Sequence, residues 1–372
     1  MRLALVISSL AMGGAERVIT HLANGWANLG IEVHLITLSN QDTDFYSLPA
    51  SVHRISLNNM KYSCNPLTAI HNNLIRIKAL RKQFKRLKPH AVVSFMDATN
   101  VLVVLADLGL GIATIISERT NPGKYQAHLG AVWDNLRRIT YPKAAAVVAV
   151  SQATANQLAP FMPHGRVDVI PNPVFQCEQG VASPPSPGAP TVISMGRLVG
   201  LKNFDLLIRA FANCVSDYQD WRLQILGDGP QRTELAGLIN DLGLNNKVQL
   251  LGAVKEPTPI LAQADIFALC SSFEGFSNSL VEAMACKLPV ICTHEAGGEI
   301  VKNSDQGLLV PEGDLDALTK SLRCLMGDRR LREQMGRSAQ QSVKKFIFPN
   351  VLNQWTQLLS RVTGMDWPIM QR

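Results

Sequence analysis

The sequence alternates between short apolar runs and amphipathic stretches, and this alternation occurs twice along its 372 residues. Runs rich in valine, isoleucine and leucine occur in the first half at residues 3–10, 32–38, 91–95, 113–118, 145–151 and 167–172. A second set lies at residues 191–198, 222–229, 248–254, 265–272, 289–293 and 307–311. Continuous apolar strands separated by helices are typical of a parallel sheet covered on both faces. The chain is therefore predicted to be an α/β protein with two doubly wound domains.

A segment rich in proline and glycine, residues 176–190, separates the two sets and is predicted to be a linker. The predicted domains are residues 1–175 and residues 191–349. Residues 350–372 are predicted to be helical and to return to the first domain. In doubly wound sheets, ligands bind at the carboxyl ends of the strands. Two such domains facing each other predict a cleft lined by strand-to-helix loops.

The composition narrows the function classes. Hydrophobic residues make up 47% of the chain and charged residues 17%, as in an ordinary globular protein. The seven cysteines are scattered without a CxxC pair, which indicates reduced thiols in a cytosolic protein. The histidines show no metal-ligand spacing, so no metal site is predicted. The apolar start imitates a signal peptide, but it runs through two glycines into a helix pattern and is interpreted as a first strand.

Positive charge is concentrated in the first half. Residues 1–175 contain 17 Lys/Arg and 9 Asp/Glu, whereas the remainder contains 19 and 20. Much of the excess lies on a predicted helix whose apolar positions Leu74, Ile77, Leu80, Phe84 and Leu87 follow helical spacing. Such a helix suits an anionic membrane surface or a phosphorylated ligand, or it covers the sheet with a solvated basic face. Nucleic acid is disfavoured because aromatic residues do not interleave with the charges. The basic positions are Arg76, Lys78, Arg81, Lys82, Lys85, Arg86 and Lys88.

Three strand-end stretches offer groups for an anion or a polar ligand. In "GGAERV" (13–18), Gly14 permits close approach to a helix N-terminus, although a plain tight turn fits equally well. In "GRLVGLKN" (196–203), Arg197 and Lys202 suit a diphosphate, against the alternative of two solvated cations. In "LGDGP" (226–230), Asp228 either caps a helix or contacts a ligand hydroxyl.

The stretch "SSFEGFSNSLVEA" (271–283) contains two carboxylates eight positions apart. Ser279 and Glu282 form the S-x-x-E pattern of a capping box, which gives Glu282 a structural explanation. Glu274 lies in the preceding loop, where no local structural rule requires an acid. The two glutamates are therefore predicted to flank a helix N-terminus, which favours anions.

In this order and at these spacings, the four stretches resemble the retaining family 4 glycosyltransferases of the GT-B fold. The resemblance covers nearly the whole chain, and the last stretch matches the Glu-x7-Glu motif of that family. It implies two Rossmann-like domains facing across a cleft, in the branch that transfers galactose or N-acetylgalactosamine during glycan assembly. It also implies transfer of a hexose or N-acetylhexosamine from a UDP-sugar to a hydroxyl of a glycan acceptor, without a metal or other cofactor. Together with the basic first half, it predicts a polyprenyl-diphosphate-linked acceptor and a cytoplasmic protein peripheral to the inner face of the membrane.

The resemblance also implies individual roles. Arg197 and Lys202 would hold the donor diphosphate and Glu274 would contact the transferred sugar, so these three are the predicted catalytic residues. Glu282 would bind the ribose and Gly14 would lie near the diphosphate. The other predicted donor contacts are Asp228, Gly275, Phe276, Ser277, Asn278 and Leu280. Many relatives carry a histidine where this chain has "ISERTNP" (116–122), and Glu118 and Arg119 are candidates for a sugar or acceptor loop.

Three rival functions are less well supported by the sequence. A nucleotide-sugar epimerase would convert the donor without an acceptor, but it requires grouped catalytic acids that the sequence does not show. A nicotinamide oxidoreductase fits the strand–helix pattern but lacks the GxGxxG fingerprint. A non-catalytic sugar-binding or membrane-binding module would not need Arg197 and Glu274 together. Their joint presence favours an enzyme.

Overall fold

The computed structural model describes residues 1–42, 44–60, 65–119, 132–162, 167–174 and 188–370. The chain divides into two compact units. The first, here called the N-terminal domain, comprises Met1–Pro173 and Phe348–Arg372, and the second, the C-terminal domain, comprises Val174–Ile347. Most of the predicted linker lies outside the described residues.

The N-terminal domain is built on a parallel sheet that has seven strands within the described residues, in the order β3-β2-β1-β4-β5-β6-β7. The strands are β1 (Arg2–Ile7), β2 (Glu32–Thr37), β3 (Val52–Ser56), β4 (Ala91–Phe95), β5 (Ala113–Glu118), β6 (Ala146–Ala149) and β7 (Val167–Val169). The α-helices are α1 (Gly14–Asn28), α2 (Pro66–Leu87), α3 (Asp97–Asp107) and α4 (Gln152–Leu158), and residues 132–140 are also helical.

The C-terminal domain repeats the plan with a parallel sheet of six strands in its described part, in the order β10-β9-β8-β11-β12-β13. The strands are β8 (Thr191–Met195), β9 (Arg222–Leu226), β10 (Val248–Gly252), β11 (Ile266–Leu269), β12 (Val290–Thr293) and β13 (Leu308–Val310). The helices are α5 (Phe204–Val215), α6 (Arg232–Asp241), α7 (Thr258–Leu261), α8 (Asn278–Ala285), α9 (His294–Gly297), α10 (Leu315–Gly327) and α11 (Arg329–Val343). The predicted fold class, two doubly wound parallel sheets, is thereby confirmed.

The continuous apolar runs are explained by burial on both faces of the sheet. In β1, Leu3 and Leu5 pack into the cluster that contains α1, whereas Ala4 and Val6 pack into the cluster that contains α2 and α3. Alternate side chains of a strand point to opposite faces, so a strand covered by helices on both sides needs apolar residues at every position.

The last helix, α12 (Phe348–Thr363), completes the core of the N-terminal domain. Its Trp355 is fully buried and meets Trp26 of α1 edge to face, with ring centroids 6.4 Å apart. The indole N–H of Trp26 donates to the hydroxyl of Thr356 at 3.0 Å. A Cβ at Gly25 would lie only 2.6 Å from the ring of Phe348, so a glycine is needed where the two helices approach. The C-terminal segment thus contributes large side chains to the first core.

The edge strand β3 was not predicted from the sequence. It pairs in parallel with β2, but Val52 alone among its residues is buried. Arg54 forms a bidentate ion pair with Asp44, at 3.0 and 3.1 Å. An edge strand needs no continuous apolar run, which explains why the apolar pattern did not reveal it.

Candidate active site

The predicted diphosphate-binding and sugar-binding residues lie on two loops of the C-terminal domain that follow neighbouring parallel strands. The first loop runs from the end of β8 to α5 and contains Arg197 and Lys202. The second runs from the end of β11 to α8 and contains Glu274. Because β8 and β11 pair in parallel, both loops emerge at the carboxyl edge of the sheet. This edge is where doubly wound domains bind their ligands.

The structure brings Lys202 and Glu274 together. The Lys202 ammonium donates to Oε1 of Glu274, and both side chains are largely shielded from solvent. Ser271 Oγ donates to the same carboxylate oxygen at 3.0 Å, and Thr293 Oγ1 at the end of β12 holds the Ser271 carbonyl at 2.6 Å. The aliphatic stem of Lys202 lies against Gly196, where a Cβ would come within 3.3 Å of it. A cation and an acid of complementary charge are thus fixed at one point of the sheet edge.

Arg197 follows β8 and Asp228 follows its neighbour β9, and both side chains are exposed. Asp228 accepts from the N–H of Gly229 at 2.8 Å. The suggestion that Asp228 caps the following helix is wrong, because α6 begins at Arg232 with Gln231 as its N-cap. The carboxylate instead stays at the exposed sheet edge, where it is available to a ligand.

The glycines of "LGDGP" serve the packing of the site. Gly227 has φ +138°, and a Cβ there would lie 1.9 Å from the carbonyl oxygen of Gly196. A Cβ at Gly229 would lie 2.5 Å from the carbonyl oxygen of Leu198. These contacts press the loop after β9 against the loop that carries Arg197, and the N–H of Leu198 donates to the Asp228 carbonyl at 3.0 Å. Glycine at positions 227 and 229 therefore allows close support of the loop that carries Arg197 and Lys202.

The predicted capping box at Ser279 is wrong. Helix α8 begins at Asn278, with Ser277 in an extended conformation as the N-cap, so Ser279 is already the second helical residue. Glu282 consequently sits one turn inside the helix rather than at its third residue, the position that a capping box requires. It is buried to 9% exposure, flanked by the core residues Val281 and Ala283. The capping-box explanation for the acid at position 282 is thereby removed.

The other predicted donor contacts surround the start of α8. Gly275 and Phe276 lie in the turn before the helix, and the Phe276 ring packs edge to face on Phe346, with centroids 5.4 Å apart. Asn278 is the first helical residue, whereas the side chain of Leu280 is fully buried in the core. Only the backbone of Leu280 can serve a ligand. The first N–H groups of an α-helix lack intrahelical partners and carry positive partial charge, so this terminus favours an anion.

Gly14, the predicted diphosphate neighbour in the N-terminal domain, is the first residue of α1. Its neighbour Gly13 is the N-cap, and a Cβ at Gly13 would lie 2.1 Å from Oε2 of Glu16. The adjacent glycines therefore make room for the chain's own carboxylate at this helix N-terminus. The sequence pattern predicted close approach at this turn but not the group that approaches.

Glu118 and Arg119 lie inside the N-terminal domain. Glu118 ends β5, is fully buried and accepts the hydroxyl of Tyr141, and burial together with the charge of Asp97 raises its pKa to about 7. The Arg119 guanidinium lies 3.7 Å from the ring centroid of Phe95 and donates to Asn172, and burial lowers its pKa to about 9. A sugar cannot reach the Glu118 carboxylate in this position. The rest of the predicted loop, residues 120–122, lies outside the described residues.

A buried cluster beside Glu118 was not predicted. Arg137 is almost fully buried and donates to Asp97 at 3.1 Å and to Asp134 at 3.2 Å. Asp97 directly follows Met96, a residue at the end of β4 with φ +78°. Asp134 is three residues before Arg137, but Asp97 is distant along the chain, and the sequence offered no signal that the tertiary fold joins Asp97 to Arg137.

The predicted basic helix is α2, and the structure divides its seven cations into two groups. Arg76 donates to the carbonyl of Asn59 at 3.1 Å, Arg81 donates to the carbonyls of Ala106 and Leu108 at 2.9 and 2.7 Å, and both brace the helix. The others are exposed, namely Lys78, Lys82, Lys85, Arg86 and Lys88.

The apolar face of α2 differs from the predicted one. Leu80, Phe84 and Leu87 are buried as expected, but Leu74 is 50% exposed. Leu67 and Ile70, about two turns and one turn before Leu74, are 79% and 59% exposed. The first half of the helix therefore presents apolar side chains to solvent, and the second half presents lysines and an arginine.

Comparison with known proteins places the chain in a family. The model described as Glycosyltransferase Family 4 matches residues 12–175, and the model described as Glycosyl transferases group 1 matches residues 179–342. In Campylobacter jejuni, the "GalNAc-alpha-(1->4)-GalNAc-alpha-(1->3)-diNAcBac-PP-undecaprenol alpha-1,4-N-acetyl-D-galactosaminyltransferase" is 30% identical over 97% of this chain and 99% of its own length. The N-acetylgalactosamine-N,N'-diacetylbacillosaminyl-diphospho-undecaprenol 4-alpha-N-acetylgalactosaminyltransferase of the same organism is also 30% identical, over 93% and 95%.

A solved structure shows the same fold at lower identity. Anabaena HepE, in complex with UDP and glucose, superposes with a TM-score of 0.77 at 20% identity, covering 97% of this chain and 100% of HepE. The two family models, the full-length relatives and the two parallel sheets agree with the resemblance read from the motifs. The chain belongs to the family 4 glycosyltransferases and has their GT-B fold.

Proposed function

We propose that this glycosyltransferase moves a hexose or N-acetylhexosamine from a UDP-sugar to a hydroxyl of a polyprenyl-diphosphate-linked glycan, with retention of the anomeric configuration. The observation that carries the proposal is the pairing of Lys202 with Glu274 beside the N-terminus of α8. The names of the Campylobacter relatives support an undecaprenol-linked acceptor. The HepE complex supports a UDP-sugar donor.

The donor would be bound by groups that the structure holds at one sheet edge. Arg197 is exposed, whereas Lys202 is held by Glu274. The arginine could therefore move onto the phosphate that the Lys202 ammonium would bind. The N–H groups at the start of α8 would donate hydrogen bonds to the second phosphate. Glu274 would bind sugar hydroxyls and Glu282 would bind the ribose, with Asp228 and the backbone of Gly275 completing the contacts. Gly14 would contribute from the N-terminal domain.

The reaction requires the sugar–phosphate bond to break while positive charge develops at the anomeric carbon. Fixed cations and N–H dipoles at the leaving diphosphate lower this barrier, because they are in place before the charge develops. In the described structure the Lys202 ammonium neutralises Glu274. An incoming diphosphate would share the same ammonium, which would leave the carboxylate free to bind the sugar. The leaving phosphate would take the acceptor's proton, and we propose no metal in this step.

Two measurements test the reaction. A thermal-shift panel of nucleotide sugars should show stabilisation by the true donor, since binding to the native state raises the melting temperature. NMR of the product formed from that donor should show the same anomeric configuration as the donor. Inversion would contradict the retaining mechanism, and stabilisation by no uridine nucleotide sugar would contradict the donor class. Undiminished turnover in excess EDTA is expected, and its loss would contradict metal independence.

We further propose that α2 holds the enzyme peripherally on the cytoplasmic face of an anionic membrane, where a lipid-linked acceptor is presented. Leu67, Ile70 and Leu74 are spaced by three and four residues and lie on one helical face. Lys78 and Lys85 continue this face toward the C-terminus of the helix. Exposed apolar side chains followed by cations fit the boundary between acyl chains and anionic headgroups. Among the described residues, no helix has the length and apolarity needed to cross a bilayer.

Co-sedimentation with vesicles tests this surface. The triple change of Leu67, Ile70 and Leu74 to serine should weaken binding to all vesicles, and glutamine at Lys78, Lys82 and Lys85 should remove the preference for anionic lipid. A charge-matched control replaces three exposed cations of the C-terminal domain with glutamine, namely Lys320, Arg330 and Arg337. Equal binding by all variants would refute the assignment.

A further inference from the structure

Asn203 follows the predicted diphosphate-binding lysine and occupies an unusual backbone position. It lies between the 3-10 turn Gly200–Lys202 and helix α5, with φ 48° and ψ 44°. This left-handed conformation is disfavoured for residues with a Cβ, and glycine adopts it most readily. Asparagine is one of the few other residues that adopt it, and unlike glycine it has a side chain that can form hydrogen bonds.

The Asn203 side chain bridges the two loops of the candidate site. Its Nδ2 donates to the carbonyl of Cys270 at 3.0 Å and to Oγ of Ser272 at 2.9 Å. The backbone adds a third link, because the N–H of Ser272 donates to the carbonyl of Leu201 at 2.9 Å. Residues 201–203 are thereby joined to residues 270–272.

These links enclose the ion pair. Lys202 lies between the two joined positions of the first loop, and Glu274 lies two residues beyond Ser272 in the second. The Glu274 carboxylate is also held by Ser271, within the same joined segment. Any change in the spacing of the two loops would therefore move the ammonium relative to the carboxylate.

We propose that Asn203 is a positioning residue that fixes the Lys202 ammonium against Glu274 for sugar transfer. It touches neither the donor nor the acceptor, and it acts through the separation of the two loops. The inference rests on the proposed function, because it assigns Lys202 and Glu274 to the diphosphate and the sugar. Preorganised charge loses much of its effect when its geometry loosens, even where binding persists.

The test is the substitution Asn203→Gly, which keeps the left-handed backbone without strain and deletes both side-chain hydrogen bonds. We expect kcat with the UDP-sugar donor to fall by about 10- to 100-fold while the donor KM changes less than threefold. The melting temperature should stay close to that of the wild type. The matched control is Asn58→Gly, because Asn58 is an exposed asparagine in the N-terminal domain that also has a positive φ, at 49°. Its kcat should be unchanged.

A double-mutant cycle separates positioning from a general loss of structure. If Asn203 acts through Lys202, then Asn203→Gly should lower kcat less than threefold further in a Lys202→Ala background. Ser272→Ala removes one of the two side-chain hydrogen bonds of Asn203 and should lower kcat by less than Asn203→Gly does. Adding Ser272→Ala to Asn203→Gly should lower kcat no further. A wild-type kcat in Asn203→Gly, or its full effect in the Lys202→Ala background, would overturn the proposal. Absence of turnover in the wild type with every nucleotide sugar would instead overturn the proposed function, and the positioning role with it.

Discussion

Replacing Lys202 by alanine tests the central contact of the site. The ammonium faces a carboxylate at the sheet edge, and both side chains are about four-fifths shielded, at 19% and 16% exposure. In the proposed reaction it also neutralises charge on the leaving diphosphate. Removing one such preorganised group typically costs on the order of 2.7–4 kcal/mol in the transition state. Since 1.36 kcal/mol is tenfold in rate, kcat should fall by about 100- to 1,000-fold.

The same substitution should change stability only modestly. Glu274 keeps the Ser271 hydroxyl as a donor, and ion pairs that retain some exposure contribute on the order of 1 kcal/mol. A domain of this size would then melt about 2–4 °C lower. A large loss of turnover with a small loss of stability is therefore the expected pattern.

Initial rates of UDP release at saturating donor and acceptor measure the effect. Lys202→Arg keeps the charge but replaces a compact ammonium with a planar fork, so it should restore part of the activity. Lys320→Ala removes an exposed lysine from α10 and should leave kcat unchanged. Turnover by Lys202→Ala within threefold of the wild type would refute the role of this ammonium.

Two further predictions concern stability. Burial raises the pKa of Glu118 from 4.5 to about 7, so ionisation of this carboxyl opposes folding, and the free energy of unfolding should fall by about 3 kcal/mol as pH rises from 4.5 through 7. Glu118→Gln should remove this pH dependence. If the melting temperatures of the variant and the wild type differed by the same amount at pH 5 and at pH 8, the prediction would be contradicted. Gly227→Ala forces a Cβ onto the Gly196 carbonyl at positive φ and should destabilise the C-terminal domain by about 2–5 kcal/mol in urea unfolding, whereas Gly237→Ala, in open space on helix α6, should be neutral or slightly stabilising.

The fold was predictable because its strongest determinant is visible in sequence. A strand that is buried on both faces has an unbroken run of apolar residues in the sequence. In β1, β4 and β11, every residue or nearly every residue is buried in this way. Strand β3 was not predicted, because an edge strand with one buried residue has no such run. Leu74 was placed on the wrong face because spacing along a helix shows which residues share a face, not what covers it.

The sequence pointed to candidate residues for the site but not to their contacts. Arg197, Lys202 and Glu274 stand out because they follow two predicted strands in the order and at the spacing of the family motifs. The hydrogen bonds of Asn203 to Cys270 and Ser272 join residues about 70 positions apart, and no local pattern encodes them. Arg137 and Asp97 are likewise distant along the chain, and only the tertiary fold brings them together.

The Glu-x7-Glu spacing has a physical meaning once the start of α8 is known. Glu274 precedes the helix by four residues, and Glu282 is its fifth residue, about 6 Å along the axis from the first at 1.5 Å per residue. The two acids therefore lie on either side of a positive helix terminus. The Lys202 ammonium donates to the first of these acids, Glu274, whereas Glu282 is buried one turn inside the helix and is not at a capping position. In the proposed function, a diphosphate at this terminus would have a carboxylate on each side, Glu274 for the sugar and Glu282 for the ribose. The spacing of eight is the sum of four residues from Glu274 to the start of the helix and four more, about one helical turn, to Glu282.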